Sequence, residues 1–141
     1  RVAKIRTGVV FAKEEGAFKK IKDPIEKGMG APLASGDQWI SWIHLKDIAG
    51  IYIHVLKNGL EGVYNAVAPN PVTNKNLTFK IASALGKNIW LPNVPAWVLK
   101  LVLGERASLV LESQMVSCKK IETTGYKFMF VNVNYAIKKL T

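Results

Sequence analysis

One change of period constrains this chain most. From Gln38 to His44 the residues alternate, with Trp39, Ser41 and Ile43 on one face and Ile40, Trp42 and His44 on the other, and both faces carry large side chains. Such a strand has to be covered on both sides. Directly after it Leu45, Ile48, Ala49, Tyr52, Ile53 and Leu56 recur at helical spacing, with Asp47 in the first turn, where the helix dipole favours a carboxylate. Ser35-Gly36-Asp37 in front of the strand has the chemistry of a tight turn. Turn, doubly covered strand and amphipathic helix in succession call for an α/β fold. They also set two indoles and an imidazole near a strand's carboxyl end, where open α/β sheets hold their ligands.

The flanking segments fit the same class. Val2 to Arg6 reads directly as a strand, which sets the expectation of further chain before Arg1, and Thr7-Gly8-Val9-Val10-Phe11 continues it as a buried strand opening into a loop. Glu14 to Lys27 has helical composition, shortened or broken by Gly16 and Pro24. Leu33-Ala34 is placed to pair with the tryptophan strand across the Ser35–Asp37 turn. Val63 to Ala68 reads as a strand, Pro69 to Asn74 as a rigid approach, and Lys75 to Leu85 as a helix capped by Thr73 or Asn74 and ended by Gly86. Beyond it come a short strand Ile89–Leu91, a helix from Pro95 to Gly104, a second from Glu105 to Leu111, and a polar helix at Lys119–Thr123. A strand Tyr126–Val131 and a last helix to Leu140 follow.

Charge and cysteine narrow the partners. In 141 residues, twenty Lys and Arg stand against ten Asp and Glu, a formal +10, and no acid lies between Glu61 and Glu105, where Lys75, Lys80, Lys87 and Lys100 occur. An anionic partner follows. The lysines are dispersed and not interleaved with aromatics, which ranks a nucleotide or phosphorylated metabolite above nucleic acid. A lone cysteine, Cys118, excludes an internal disulfide framework and a cysteine zinc site, and fits a reducing, cytoplasmic compartment. The longest apolar run, Ala96 to Leu103, is interrupted by Lys100 and too short to span a membrane.

Several stretches resemble one family closely: Arg6-Thr7-Gly8-Val9-Val10, Ser35 to Asp47, Gly62-Val63-Tyr64-Asn65-Ala66-Val67-Ala68-Pro69-Asn70-Pro71-Val72-Thr73-Asn74, Leu103 to Ala107 and Gly125 to Phe128. It is the epimerase-like branch of the extended short-chain dehydrogenase/reductases (NAD(P)-dependent epimerase/dehydratases). Its members end in a small C-terminal domain of undefined role and are sometimes labelled cell-division inhibitors. The resemblance covers essentially all 141 residues. It implies a doubly wound NAD(P)-binding Rossmann half followed by a substrate half, of which this chain has the last strand or two of the first and all of the second. The glycine-rich pyrophosphate turn and the catalytic Tyr-x-x-x-Lys are expected outside these residues; Gly28-x-Gly30 is no substitute, because no buried strand leads into it. Where the family has a proline near the start of the late polar helix, this chain has Cys118.

By the resemblance, Arg6, Thr7, Gly8 and Val9 pass the nicotinamide of NADP or NAD, largely through backbone. Trp39, Trp42, His44, Asn65, Asn70 and Lys75 are the candidates for substrate binding. Trp39 and Trp42 have opposite parity, so at most one faces a cleft, and core packing is the commoner role for either. His44 has only His54 as company elsewhere, which favours a hydrogen-bonded structural role over a metal site. Lys75 occupies a helix first turn that prefers an acid, which points to an anion nearby or to a plain solvated lysine.

The expected fold is therefore α/β: the C-terminal, substrate portion of an extended Rossmann-type short-chain dehydrogenase, with residues 1–86 ending the Rossmann-like domain and residues 87–141 forming a small, mainly helical C-terminal domain. The expected function is the substrate-binding half of an NAD(P)-dependent nucleotide-sugar epimerase or reductase, with no catalytic residue in these 141 and no metal. A small anionic, nucleotide-linked substrate and the preceding Rossmann half are its expected partners, and a homo-oligomer stays open. A non-catalytic interaction or regulatory module on the same scaffold, linked to cell division, is the competing class. A large exposed apolar face separates the two, being expected of the first.

Overall fold

The computed structural model describes all residues, 1–141. Strand β1 (Ala3–Thr7) runs parallel to β5 (Gly62–Ala66) with Arg6 opposite Asn65, and β2 (Val9–Phe11) runs parallel to β4 (Trp42–His44). Between β1 and β2 the chain changes partner at Gly8, whose N–H reaches the Ala66 carbonyl while the Val9 N–H reaches that of Ser41. A Cβ at position 8 would lie 2.4 Å from the Ser41 oxygen and 2.7 Å from Val67 Cγ1, so only glycine fits this exchange.

The alternation read from Gln38 to His44 is present, but the strand is not continuous. Ser41 divides it into β3 (Trp39–Ile40), antiparallel to β6 (Val72–Thr73), and β4. The break follows from the hydrogen bonds of Ser41, whose carbonyl serves β2 and whose hydroxyl serves a distant segment. Helix α2 (Leu45–Lys57) has the expected bounds, and α3 (Asn74–Leu85) carries the expected Thr73 cap and a left-handed Gly86. Helix α1 covers Ala17–Glu26 and continues past Pro24.

Three expectations fail for backbone reasons. Leu33 bridges Val94 and not the tryptophan strand, and Ile89–Leu91 forms no strand. Tyr126 to Val131 bends at Met129 and joins no sheet, because the N–H groups of Met129 and Phe130 go to the Asp47 carboxylate.

Helices α4 (Ala96–Leu103) and α5 (Ala107–Leu111), joined by a 3-10 turn at Gly104–Arg106, lie on the outside. Helices α6 (Lys119–Thr123) and α7 (Val133–Leu140) follow. Two cores flank the short strands. One joins Phe11, Phe18, Trp42, Leu77 and Ile81 to Phe130, Ala136, Ile137 and Leu140; the other joins Ile43, Ile51, Val55, Tyr64 and Ala66 to Cys118 and Ile121. Trp42 and Ile43, successive residues of β4, thus point into opposite cores, and the doubly covered strand is real. Residues after 117 complete both cores. No helix is long and apolar enough to cross a membrane.

Candidate functional site

The carboxyl ends of β1 and β5 gather most of the residues singled out from the sequence. Arg6 and Thr7 are exposed there, Gly8 makes the turn between partners, and Val9 follows, exposed, on the far side. Asn65 neighbours Arg6 across the parallel pair. Trp39 joins them through an extended strap, residues 113–117, that crosses this end of the sheet. Its N–H donates to Ser113 Oγ at 2.9 Å and its carbonyl accepts from the Gln114 N–H at 3.2 Å. Ser41 holds the middle of the strap, donating to the Gln114 carbonyl at 2.9 Å and accepting from the Val116 N–H at 3.0 Å. Asn65 Nδ2 donates to the Ser117 carbonyl at 3.1 Å. Trp39 stays 37% exposed, so its indole is open to a ligand.

The other candidates go elsewhere. Trp42 is buried, stacks on Phe11 with ring centroids 5.5 Å apart, and donates its indole N–H to the Asn70 carbonyl at 2.8 Å. It is a core residue and does not line a cleft. Asn70 holds the Val131 carbonyl through its side chain. Lys75 is exposed at the start of α3, but the first-turn N–H groups are engaged within the chain: Asn74 with the Gln38 carbonyl, Lys75 with that of Gly36, and Asn76 with Thr73 Oγ1. An anion there would meet the ammonium group and not free amides.

His44 caps α2, its Nδ1 accepting from the Lys46 N–H at 3.0 Å, and its ring stacks on Phe130 at 3.7 Å. Burial lowers its pKa below the ordinary value, with Lys46 adding to the effect and Asp47 opposing it. Cys118 is buried, and burial together with Glu122 pushes its thiol up to about 11, which rules against a nucleophile at neutral pH.

Sequence reasoning missed Ser41 and Asp47 as organisers. Asp47 is fully buried, and its carboxylate accepts from the Tyr126 hydroxyl and from the N–H groups of Met129 and Phe130. Burial, followed by the bond to Asp47, raises the Tyr126 pKa well above the ordinary value. The signal was available: Asp47 precedes Ile51 and Val55 by four and eight residues, on the helix's apolar face, where a carboxylate needs partners. The expectation that Tyr-x-x-x-Lys is absent also needs correction, since Tyr135 and Lys139 have that spacing on α7. Lys139 Nζ stands over the Tyr135 ring, 5.7 Å from its centroid, and neither residue lies at the β1–β5 end.

Short parallel strand pairs joined by crossover helices, with a helical C-terminal segment packed on them, are the architecture of the C-terminal portion of an extended short-chain dehydrogenase. Comparison with known proteins agrees. Residues 94–140 match a family described as a domain of unknown function, DUF1731. The chain is 39% identical over 141 residues to the chloroplastic SDR39U1 homologue of Arabidopsis thaliana, an epimerase family protein, covering 99% of this chain and 40% of that one. To human epimerase family protein SDR39U1 it is 37% identical, over 96% of this chain and 47% of the relative. The chain thus spans about half the length of the curated relatives it matches. The crystal structure of the human protein with NADPH superposes with a TM-score of 0.91 at 36% identity, over 98% of this chain and 47% of that one. A nucleoside-diphosphate sugar epimerase from Corynebacterium glutamicum gives 0.71 at 30% identity, over 97% and 25%. The chain matches the C-terminal half of these epimerase family proteins along nearly its whole length, and its fold is that of their C-terminal portion.

Proposed function

We propose that these residues form the substrate-binding half of an NAD(P)-dependent epimerase or reductase acting on a nucleotide-linked or other small anionic carbonyl or alcohol compound. The observation that carries this reading is the gathering of Arg6, Thr7, Val9, Trp39 and Asn65 around the Gly8 exchange point, at the carboxyl end of a parallel strand pair. Backbone and short side chains there suit a flat nicotinamide, Trp39 offers a stacking face, and Arg6 supplies charge for a phosphate. The NADPH of the human relative and the substrate class in the Corynebacterium protein's name support the same assignment.

The hydride chemistry and most cofactor contacts belong to a preceding half. Supporting that, Tyr52, Ile53 and Leu56 on α2 and Trp97, Leu101 and Val102 on α4 are exposed apolar residues, and β1 is paired on one edge only. A single cysteine supports a reducing, cytoplasmic setting.

The test is calorimetric titration of the full-length protein with NADPH and then with a uridine diphosphate sugar. Arg6→Ala should weaken the sugar nucleotide about tenfold, the loss of one charge-assisted hydrogen bond, and leave the fold intact by circular dichroism. Unchanged affinity in Arg6→Ala, or no binding of either ligand to the wild type, overturns the reading.

A further inference from the structure

A cavity of about 650 Å³ opens beyond the carboxyl ends of β2 and β4. None of Arg6 to Val9, Trp39, Asn65, Asn70 or Lys75 lines it. Its floor is aromatic: His44 stacks on Phe130, and Phe130 stacks on Tyr135 with centroids 5.2 Å apart. Its rim is cationic, carrying Lys13, Lys46 and Lys139, and no carboxylate lines it.

Three further observations turn this from a basic hollow into a site. The first is that none of the three lysines is in an ion pair; the chain's salt bridge is Lys19–Asp23. The second is that Asp47 is fully buried, with both oxygens bonded to Tyr126, Met129 and Phe130, and forms no ion pair with those lysines. The third is His44 itself, 6% exposed and lining the cavity. Because its Nδ1 accepts the Lys46 N–H, the neutral ring carries its proton on Nε2, and that donor has no partner within the chain. A nearly buried imidazole whose unpaired N–H opens onto the cavity, amid three unpaired cations and beside the Tyr135 ring, suits an acceptor that is negative and attached to a ring.

We propose that the cavity bounded by His44, Phe130, Tyr135 and Lys139 is a second ligand site, distinct from the β1–β5 cleft, for an aryl or nucleoside phosphate. The ring lies against the half-exposed Tyr135, the phosphate accepts from His44 Nε2–H, and Lys46, Lys13 and Lys139 neutralise it. A volume of this size accommodates a mononucleotide.

The experiment uses the full-length protein saturated with NADPH, with phenyl phosphate, adenosine monophosphate and inorganic phosphate as probes, followed by imidazole ¹⁵N resonances of His44 and by calorimetry. Phenyl phosphate and the nucleotide should give saturable shifts at His44 Nε2 and bind at least fivefold more tightly than inorganic phosphate. Lys46→Ala and Lys139→Ala should each weaken them about fivefold to tenfold, and Lys87→Ala, outside the cavity, should not. The absence of a saturable shift at 10 mM probe overturns the proposal. So does equal weakening by Lys87→Ala, which marks general attraction to a basic protein, or displacement of the probe from His44 by NADPH, which merges the two sites.

Discussion

The Tyr126 hydroxyl donates to Asp47 Oδ1 at 2.8 Å across 79 residues of chain, and the same carboxylate receives the backbone N–H groups of Met129 and Phe130 at 2.9 Å each. One buried side chain in the first turn of α2 thereby fixes the whole 126–130 segment. Asp47→Ala leaves two amides without an acceptor and the Tyr126 hydroxyl with only the residue 47 carbonyl, at 3.1 Å. At about 1–3 kcal/mol for each group left unsatisfied, and with partial relaxation, the loss should be about 3–5 kcal/mol in urea unfolding. Tyr126→Phe removes the hydroxyl's bonds to the Asp47 carboxylate and carbonyl and keeps the packing, for a loss of about 1 kcal/mol.

Gly8→Ala places a methyl group against the Ser41 carbonyl and Val67. Backbone must move for it to fit, so β2 should separate from β4 with a loss of about 2–3 kcal/mol and weaker NADPH binding in the full-length protein. Thermal unfolding with and without cofactor measures both. A fully stable variant with native affinity would show that the strand exchange at Gly8 is dispensable.

Ser41→Ala removes the hydroxyl that both donates to Gln114 and accepts from Val116. The strap should loosen locally while the cores persist. Limited proteolysis should therefore cut between residues 112 and 118 faster than in the wild type, with global stability lower by about 1–2 kcal/mol.

Much of this architecture was legible in the sequence, and the failures share a cause. Periodicity located α2, α3, α6 and α7, and it identified a strand buried on both faces, because apolar spacing reports burial directly. It misjudged Tyr126–Val131 and joined β3 to β4, because the deciding partners there are the Asp47 carboxylate and the Ser41 hydroxyl, polar groups that periodicity does not register. The candidate site divides in the same way. Arg6 to Val9, Trp39 and Asn65 converge, since strand order determines their place. Trp42 and His44 share a face by alternation, yet the indole is consumed by the core and the imidazole opens onto a cavity made by α7, nearly a hundred residues later.

His44 makes stability sensitive to acid. Its folded pKa lies below the ordinary 6.5, so as pH falls through 6.5 the unfolded chain takes up a proton that the folded state resists, and stability declines. His44→Asn keeps an N-cap acceptor without a titrating ring and should flatten the decline in urea midpoint between about pH 6.5 and 5.

Cys118 acts at the alkaline end. Its thiol ionises at about 11 when folded against an ordinary 9.0, so above pH 9 the unfolded state loses a proton first, and stability falls as pH rises toward 11. At pH 8 the native protein should resist a thiol reagent that labels the urea-unfolded chain within minutes. Rapid native labelling would contradict the burial of Cys118.

The core around Phe11, Phe18 and Trp42 is finished by Phe130, Ala136, Ile137 and Leu140. On the ribosome this means that Phe11, Phe18 and Trp42 wait for partners made much later in the chain. A nascent chain interrupted anywhere before residue 130 presents an open apolar face to chaperones and proteases, however well its strands have formed. The final turn of α7 therefore closes a core that was begun at Phe11, and copies that stop short of it are marked for removal by the surface they leave uncovered.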